Sequence, residues 1–228
     1  MLQNTARNPF AADQIMKRPP REEKLNTATH GLGVVLGLIG STVLLNRVHQ
    51  QQPFAIVYCA FAVYCFSLVG VFVGSTLSHY FLEEPKRTQF RKLDQAFIYL
   101  LIVGTYTPFS VVFLKSNFSW ILLTAMWVVA LIGFISKLFL SHRVNSVSLI
   151  IYIVLGWMPI LGGSASWNSA PASALWGGLF GGVLYTVGTL FLKYDTKAWY
   201  FHGIWHVFVI LAAAVHWWVH FTYVATGQ

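Results

Sequence analysis

The chain has 228 residues, of which 56% are hydrophobic, 16% aromatic and only 10% charged. Soluble domains usually carry about 25% charged residues, so this chain lacks the polar surface to cover itself in water, and an all-α bundle embedded in a membrane is the expected class. The net charge of +8 does not indicate nucleic acid, because the basic residues sit in short gaps between apolar runs, at the level of lipid headgroups.

Residues 1–21, with Asn, Gln, Arg and the pair Pro19 and Pro20, read as a mobile tail without the apolar stretch of a cleavable signal peptide. Residues 22–228 read as one transmembrane domain, opened by a polar lead-in that ends near Thr29. Seven apolar runs follow, over about His30–Leu45, Phe54–His79, Asp94–Leu114, Ser119–Leu140, Val147–Leu161, Ala172–Leu192 and Trp199–Val224. A spanning helix needs roughly 20 apolar residues. The fifth run is the weakest, since Gly156, Pro159, Gly162 and Gly163 interrupt it. Pro108 is expected to kink the third helix. Gly33 with Gly37, Gly70 with Gly74, and Gly177 and Gly178 with Gly181 and Gly182 have the four-residue spacing that lets transmembrane helices approach closely. Cys59 and Cys65 stand about 9 Å apart along one helix, too far for a disulfide, and read as packing residues.

The Lys and Arg residues set the orientation. Thirteen of the 15 fall in the N-terminal tail and in the second-to-third, fourth-to-fifth and sixth-to-seventh regions. Only Arg47 and Lys115 lie on the other side. The N-terminus is therefore predicted to be cytoplasmic and the C-terminus outside.

Ionisable residues inside membrane helices are expensive and point to function. His202 and His206 are four residues apart near the start of the seventh helix, so they share a face and can share a metal ion. His79 ends the second helix, with Ser75 one turn earlier, and Asp94 opens the third. The predicted topology puts all five at one membrane depth on the cytoplasmic side. Taken singly, each has a plainer reading: His79 as an interfacial residue, Asp94 as a helix cap, Ser75 as a packing group. His216 and His220 form a second pair with the same spacing, read as interfacial beside Trp217 and Trp218. His142 lies in a basic inner loop without an identified partner.

These residues resemble the hemolysin III family, within the progestin and adipoQ receptor superfamily, over nearly everything from Glu23 to Val224. The stretch Glu23 to His30 (EKLNTATH) looks like the family's first motif, Ser75 to His79 (STLSH) followed by Asp94 like its second, and His202 to His206 (HGIWH) like its third. Gly104 to Phe109 and Gly182 to Gly188 also look family-like. The resemblance implies seven helices, a cytoplasmic N-terminus, a bacterial inner-membrane location, and a zinc ion held by His79, His202 and His206. Asp94 would contact a zinc-bound water, with Ser75 helping through a hydrogen bond. Glu23, Asn26 and His30 would sit at the mouth of the site. The expected activity is hydrolysis of a lipid amide or ester, linked to membrane-lipid homeostasis, with membrane lipids as partners. The alternatives are a zinc-containing lipid receptor without turnover and a pore-forming hemolysin. No helix carries a continuous polar stripe to line a pore.

Overall fold

The computed structural model describes residues 20–114, 116–139, 146–162 and 168–227. The tail up to residue 19, Lys115, His142 and Arg143 lie outside the described residues. Helix α1 covers Pro20–Gln51, α2 Ala55–Tyr80, α3 Lys86–Phe113, α4 Asn117–Phe139, α5 Ser146–Trp157, α6 Ala172–Lys193 and α7 Phe201–Val219. A 3-10 segment, Met158–Gly162, extends α5, and a π-helical turn, His220–Val224, extends α7. No strand occurs among the described residues. Six of the helices are long and apolar enough to cross a membrane, and a shorter apolar helix spans Ser148–Gly162. Twelve α-helical residues and five 3-10 residues reach about 28 Å, close to the roughly 30 Å hydrocarbon thickness. Seven helices thus match the seven apolar runs.

The first helix begins ten residues before the apolar run. Proline suits the first helical position, where its missing N–H costs nothing, and Glu22 and Glu23 in the first turn favour the positive end of the helix dipole. The polar lead-in is therefore part of α1. Its buried stripe runs Glu23, Asn26, His30, Gly33, Gly37, Ser41, Leu44 and Val48, while Leu32, Leu36, Ile39 and Val43 are exposed. This inverts a soluble amphipathic helix: the polar groups face the bundle and the apolar ones face outward, the arrangement a lipid solvent favours.

Glycines set the helix contacts as the spacing predicts. A Cβ on Gly33 would lie 2.5 Å from the Phe72 ring, and one on Gly74 would lie 2.9 Å from the backbone nitrogen of Asp94. Gly177 and Gly181 of α6 receive Val219 and His216 of α7, whereas Gly178 meets nothing within 4 Å. This glycine pattern works within one bundle. Helix α3 runs unbroken through Pro108.

Two readings of individual residues change. Arg87, counted among the basic residues at headgroup level, is buried. His220 is also buried, at 2% exposure, and packs edge-on against Phe61 and Tyr64 of α2. His216 stacks on Tyr185 of α6. This second histidine pair faces the bundle rather than the membrane interface, because the glycines of α6 let α7 press its polar edge inward.

Candidate metal centre

Three helix ends bring the histidines together. His79 lies in the last turn of α2, just before the chain leaves the helix at Phe81. His202 and His206 occupy the first two turns of α7. The ring centroids stand 5.1 Å apart for His79 and His202, 5.0 Å for His79 and His206, and 4.6 Å for His202 and His206. One potential ligand nitrogen from each lies within 4.8 Å of the others.

Each ring is held from behind. His79 Nδ1 lies 2.6 Å from Glu23 Oε2 of α1. His202 Nδ1 lies 3.2 Å from Asp195 Oδ2 in the α6–α7 connection. His206 Nδ1 lies 3.3 Å from the Thr29 hydroxyl of α1. An ionised carboxylate only accepts hydrogen bonds, so His79 and His202 carry their protons on Nδ1. The Thr29 hydroxyl is within reach of the carbonyls of Leu25 and Asn26, to which it donates. It is then an acceptor toward His206, whose proton also sits on Nδ1. Nε2 is then the potential ligand atom of each ring, the tautomer arrangement that buttressed metal-binding histidines adopt.

Metal fit can be tested on one distance. His79 Nε2 and His202 Nε2 stand 3.2 Å apart. Two bare lone pairs at that separation repel unless a positive charge lies between them. Two nitrogens bound at about 2.0–2.1 Å to one tetrahedral ion stand about 3.3–3.4 Å apart, so the pair is spaced as two ligands of one such ion. The chemistry of the donor set agrees: three neutral imidazoles suit zinc and other late first-row divalent metals.

Glu23 links this site to the end of α3. Its second oxygen accepts a hydrogen bond from Arg87 Nη2, and the Glu23 and Arg87 side chains are only 4% and 7% exposed. A buried carboxylate between a guanidinium and an imidazole has both oxygens satisfied, which offsets the cost of taking it out of water.

The other expected residues fall into two groups. Ser75 is buried and lies beside the Asp94 carboxylate across the α2–α3 contact that Gly74 opens. Asp94 also lies near Arg91 and Tyr152. Asp94 and Ser75 thus form a unit one turn along α2 from His79, outside the group of converging ligand atoms. Asn26 and His30 line the centre from α1. His30 stacks on His206 with centroids 3.7 Å apart and meets Phe72 edge-on. Asn26 is fully buried beside Gly203. Among the described residues, neither the Asn26 amide nor the His30 ring nitrogens have a hydrogen-bond partner.

Sequence reasoning missed Asp195, Arg87 and the role of Thr29. Asp195 carried a signal, as the only acid after Asp94 in the whole chain. Arg87 carried none, since its spacing from Glu23 in sequence says nothing of their contact.

The comparisons with known proteins agree with this architecture. Residues 20–217 match the family model for haemolysin-III related proteins. The chain is 34% identical to Hemolysin-3 of Bacillus cereus, over 86% of this chain and 88% of the relative. It is also 34% identical to the Hemolysin-3 homolog of Bacillus subtilis (strain 168), over 85% and 90%. The human Monocyte to macrophage differentiation factor matches at 28%, over 89% and 84%. A family match across almost all of the helical domain, with two relatives covered nearly end to end, establishes that this multi-pass membrane protein belongs to the haemolysin-III related family.

Proposed function

We propose that the chain is a zinc-dependent intramembrane hydrolase of lipid amides or esters, acting at the cytoplasmic side of a bacterial inner membrane. The observation that carries the reading is the three-histidine cluster with every Nδ1 buttressed. Three protein ligands leave one tetrahedral position open, the pattern of a catalytic zinc site rather than a closed structural one. His79, His202 and His206 would hold the ion, which when bound supplies Lewis acidity to a carbonyl oxygen and to water.

The remaining work belongs to this chain's own groups. Asp94 takes a proton from the attacking water and returns it to the leaving amine or alcohol. Ser75, beside Asp94, orients that carboxylate. Glu23, Asp195 and Thr29 keep the imidazoles in the Nδ1–H tautomer and hold their rings in place. The 13-to-2 division of Lys and Arg supports a cytoplasmic N-terminus and an outside C-terminus. Membrane lipids reach such a site laterally, so substrate need not leave the bilayer.

The test is metal content and turnover of detergent-purified protein, wild type beside His202→Ala. The reading expects about one zinc per wild-type chain, its loss in the variant, and zinc-dependent release of fatty acid from a lipid amide or ester. Zinc bound without turnover on either lipid class sinks the hydrolase and leaves a zinc-containing lipid receptor. Absence of bound zinc after loading and washing sinks the metal centre itself.

A further inference from the structure

At the opposite end of the bundle, a second set of polar side chains is buried without an assigned role. His220 is 2% exposed and Tyr64 fully buried, and among the described residues neither the His220 ring nitrogens nor the Tyr64 hydroxyl has a hydrogen-bond partner. Their rings meet edge-on at 4.5 Å. Tyr185 of α6 lies near Tyr64, and His216 lies near His220. The backbone of Thr105 on α3 also approaches His220, outside hydrogen-bond geometry. Four helices therefore contribute to one polar spot, about 21 Å along α7 from His206.

One helix changes type at this place and a second, though continuous, lacks a backbone donor. In α3, Pro108 cannot donate to the carbonyl of Gly104, which neighbours Thr105. In α7, His220 opens the π-helical turn, and its carbonyl accepts from Ala225, five residues along, at 2.8 Å. Irregular backbone at membrane depth persists where it lines a polar cavity or lies buried in protein, and π turns gather at functional sites.

We propose that this spot is a second binding site, in which the His220 imidazole and the Tyr64 hydroxyl hold a small neutral hydroxylic ligand. A neutral imidazole and a phenol each offer both donor and acceptor capacity, and a hydroxyl group answers both. No side-chain negative charge is at hand to pair with a cationic ligand, because none of the seven acidic residues of the chain lies in these parts of α2, α3, α6 or α7. The neighbouring cation, Arg47, stacks over the Phe221 ring at 4.4 Å. The hydroxyl comes either from internal water, which commonly satisfies buried polar groups, or from a lipid headgroup.

Tyr64→Phe tests the site by the sign of its effect, since it removes one oxygen and keeps the ring. An unpaired buried hydroxyl is a liability, and deleting it leaves stability unchanged or raised; a bonded one is an asset. The site predicts a Tm lowered by about 2–4 °C in detergent-purified protein. An unchanged or raised Tm overturns it. Solid-state NMR of histidine-15N protein in bilayers gives a second readout on the unaltered chain. Magnetisation transfer from water to the His220 ring nitrogens assigns the ligand as water, and transfer from lipid hydroxyl or glycerol protons assigns it as lipid. Transfer from neither overturns the site.

Discussion

Glu23 is the residue through which the metal centre and the bundle depend on one another, and Glu23→Gln separates the two roles. The carboxylate accepts from His79 Nδ1 with one oxygen and from Arg87 with the other. Glutamine keeps the size but has one acceptor oxygen, and its amide end presents donors to whichever partner it meets. If the oxygen stays with Arg87, His79 loses its tautomer lock, and metal affinity is expected to fall about 10–100-fold, the usual cost of losing such a buttress. The charge of Arg87 also loses its counterion in a buried setting, with an expected penalty of about 3 kcal/mol. For a chain of this size that corresponds to a Tm lowered by about 6–12 °C. The affinity is read by zinc competition against a chromophoric chelator in detergent, and the Tm by tryptophan fluorescence on metal-stripped protein. Adding Arg87→Met to Glu23→Gln removes the stranded charge and frees the amide oxygen to accept from His79 Nδ1, so the double variant regains most of the Tm and part of the zinc affinity. Wild-type zinc affinity in Glu23→Gln refutes the buttressing role. Failure of Arg87→Met to restore stability refutes the buried-charge account.

Three further outcomes follow from the same geometry. Asp94→Asn keeps the bound zinc, since Asp94 is outside the ligand group, but lowers turnover about 10²–10⁴-fold, the usual contribution of a general base; equal loss of zinc and turnover would place Asp94 among the ligands. Gly74→Ala puts a methyl group 2.9 Å from the backbone nitrogen of Asp94, where no side chain can swing away, so it is expected to lower stability by about 1–3 kcal/mol, checked as a fall in Tm beside the open position Gly178→Ala. Zinc affinity should weaken as pH falls, because three histidines must be deprotonated to bind and protons then compete for Nε2; a chelator titration showing affinity independent of pH from about 5.5 to 7.5 would exclude histidine ligation.

Much of this protein was legible in its sequence. The apolar runs define the helices because a bilayer satisfies no backbone hydrogen bond, which leaves length and hydropathy as nearly sufficient criteria. The i, i+4 spacing of His202 and His206 needs only helical geometry, and the boundaries of the apolar runs put His79 at the end of one helix and Asp94 near the start of the next. Glu23 and Asn26 were harder, because α1 begins at Pro20, before its apolar run, and only the continuous helix puts Glu23, Asn26 and His30 on one face.

The tertiary structure decided which polar group meets which. Glu23 finds His79 and Arg87 from 56 and 64 residues away, and Thr29 finds His206 across 177. No local periodicity encodes such pairings. They follow from how closely the glycines let α1, α2, α3 and α7 pack. The same cause turned His216 and His220 inward: two histidines among tryptophans near a helix end have an interfacial composition, and only the packing of α7 against α2 and α6 shows that they face the bundle. Sequence alone determined the apolar class of the chain and its helices, because each depends on one segment's composition. The hydrogen-bond partners depend on the relative rotation of several helices, which exists only in the assembled bundle.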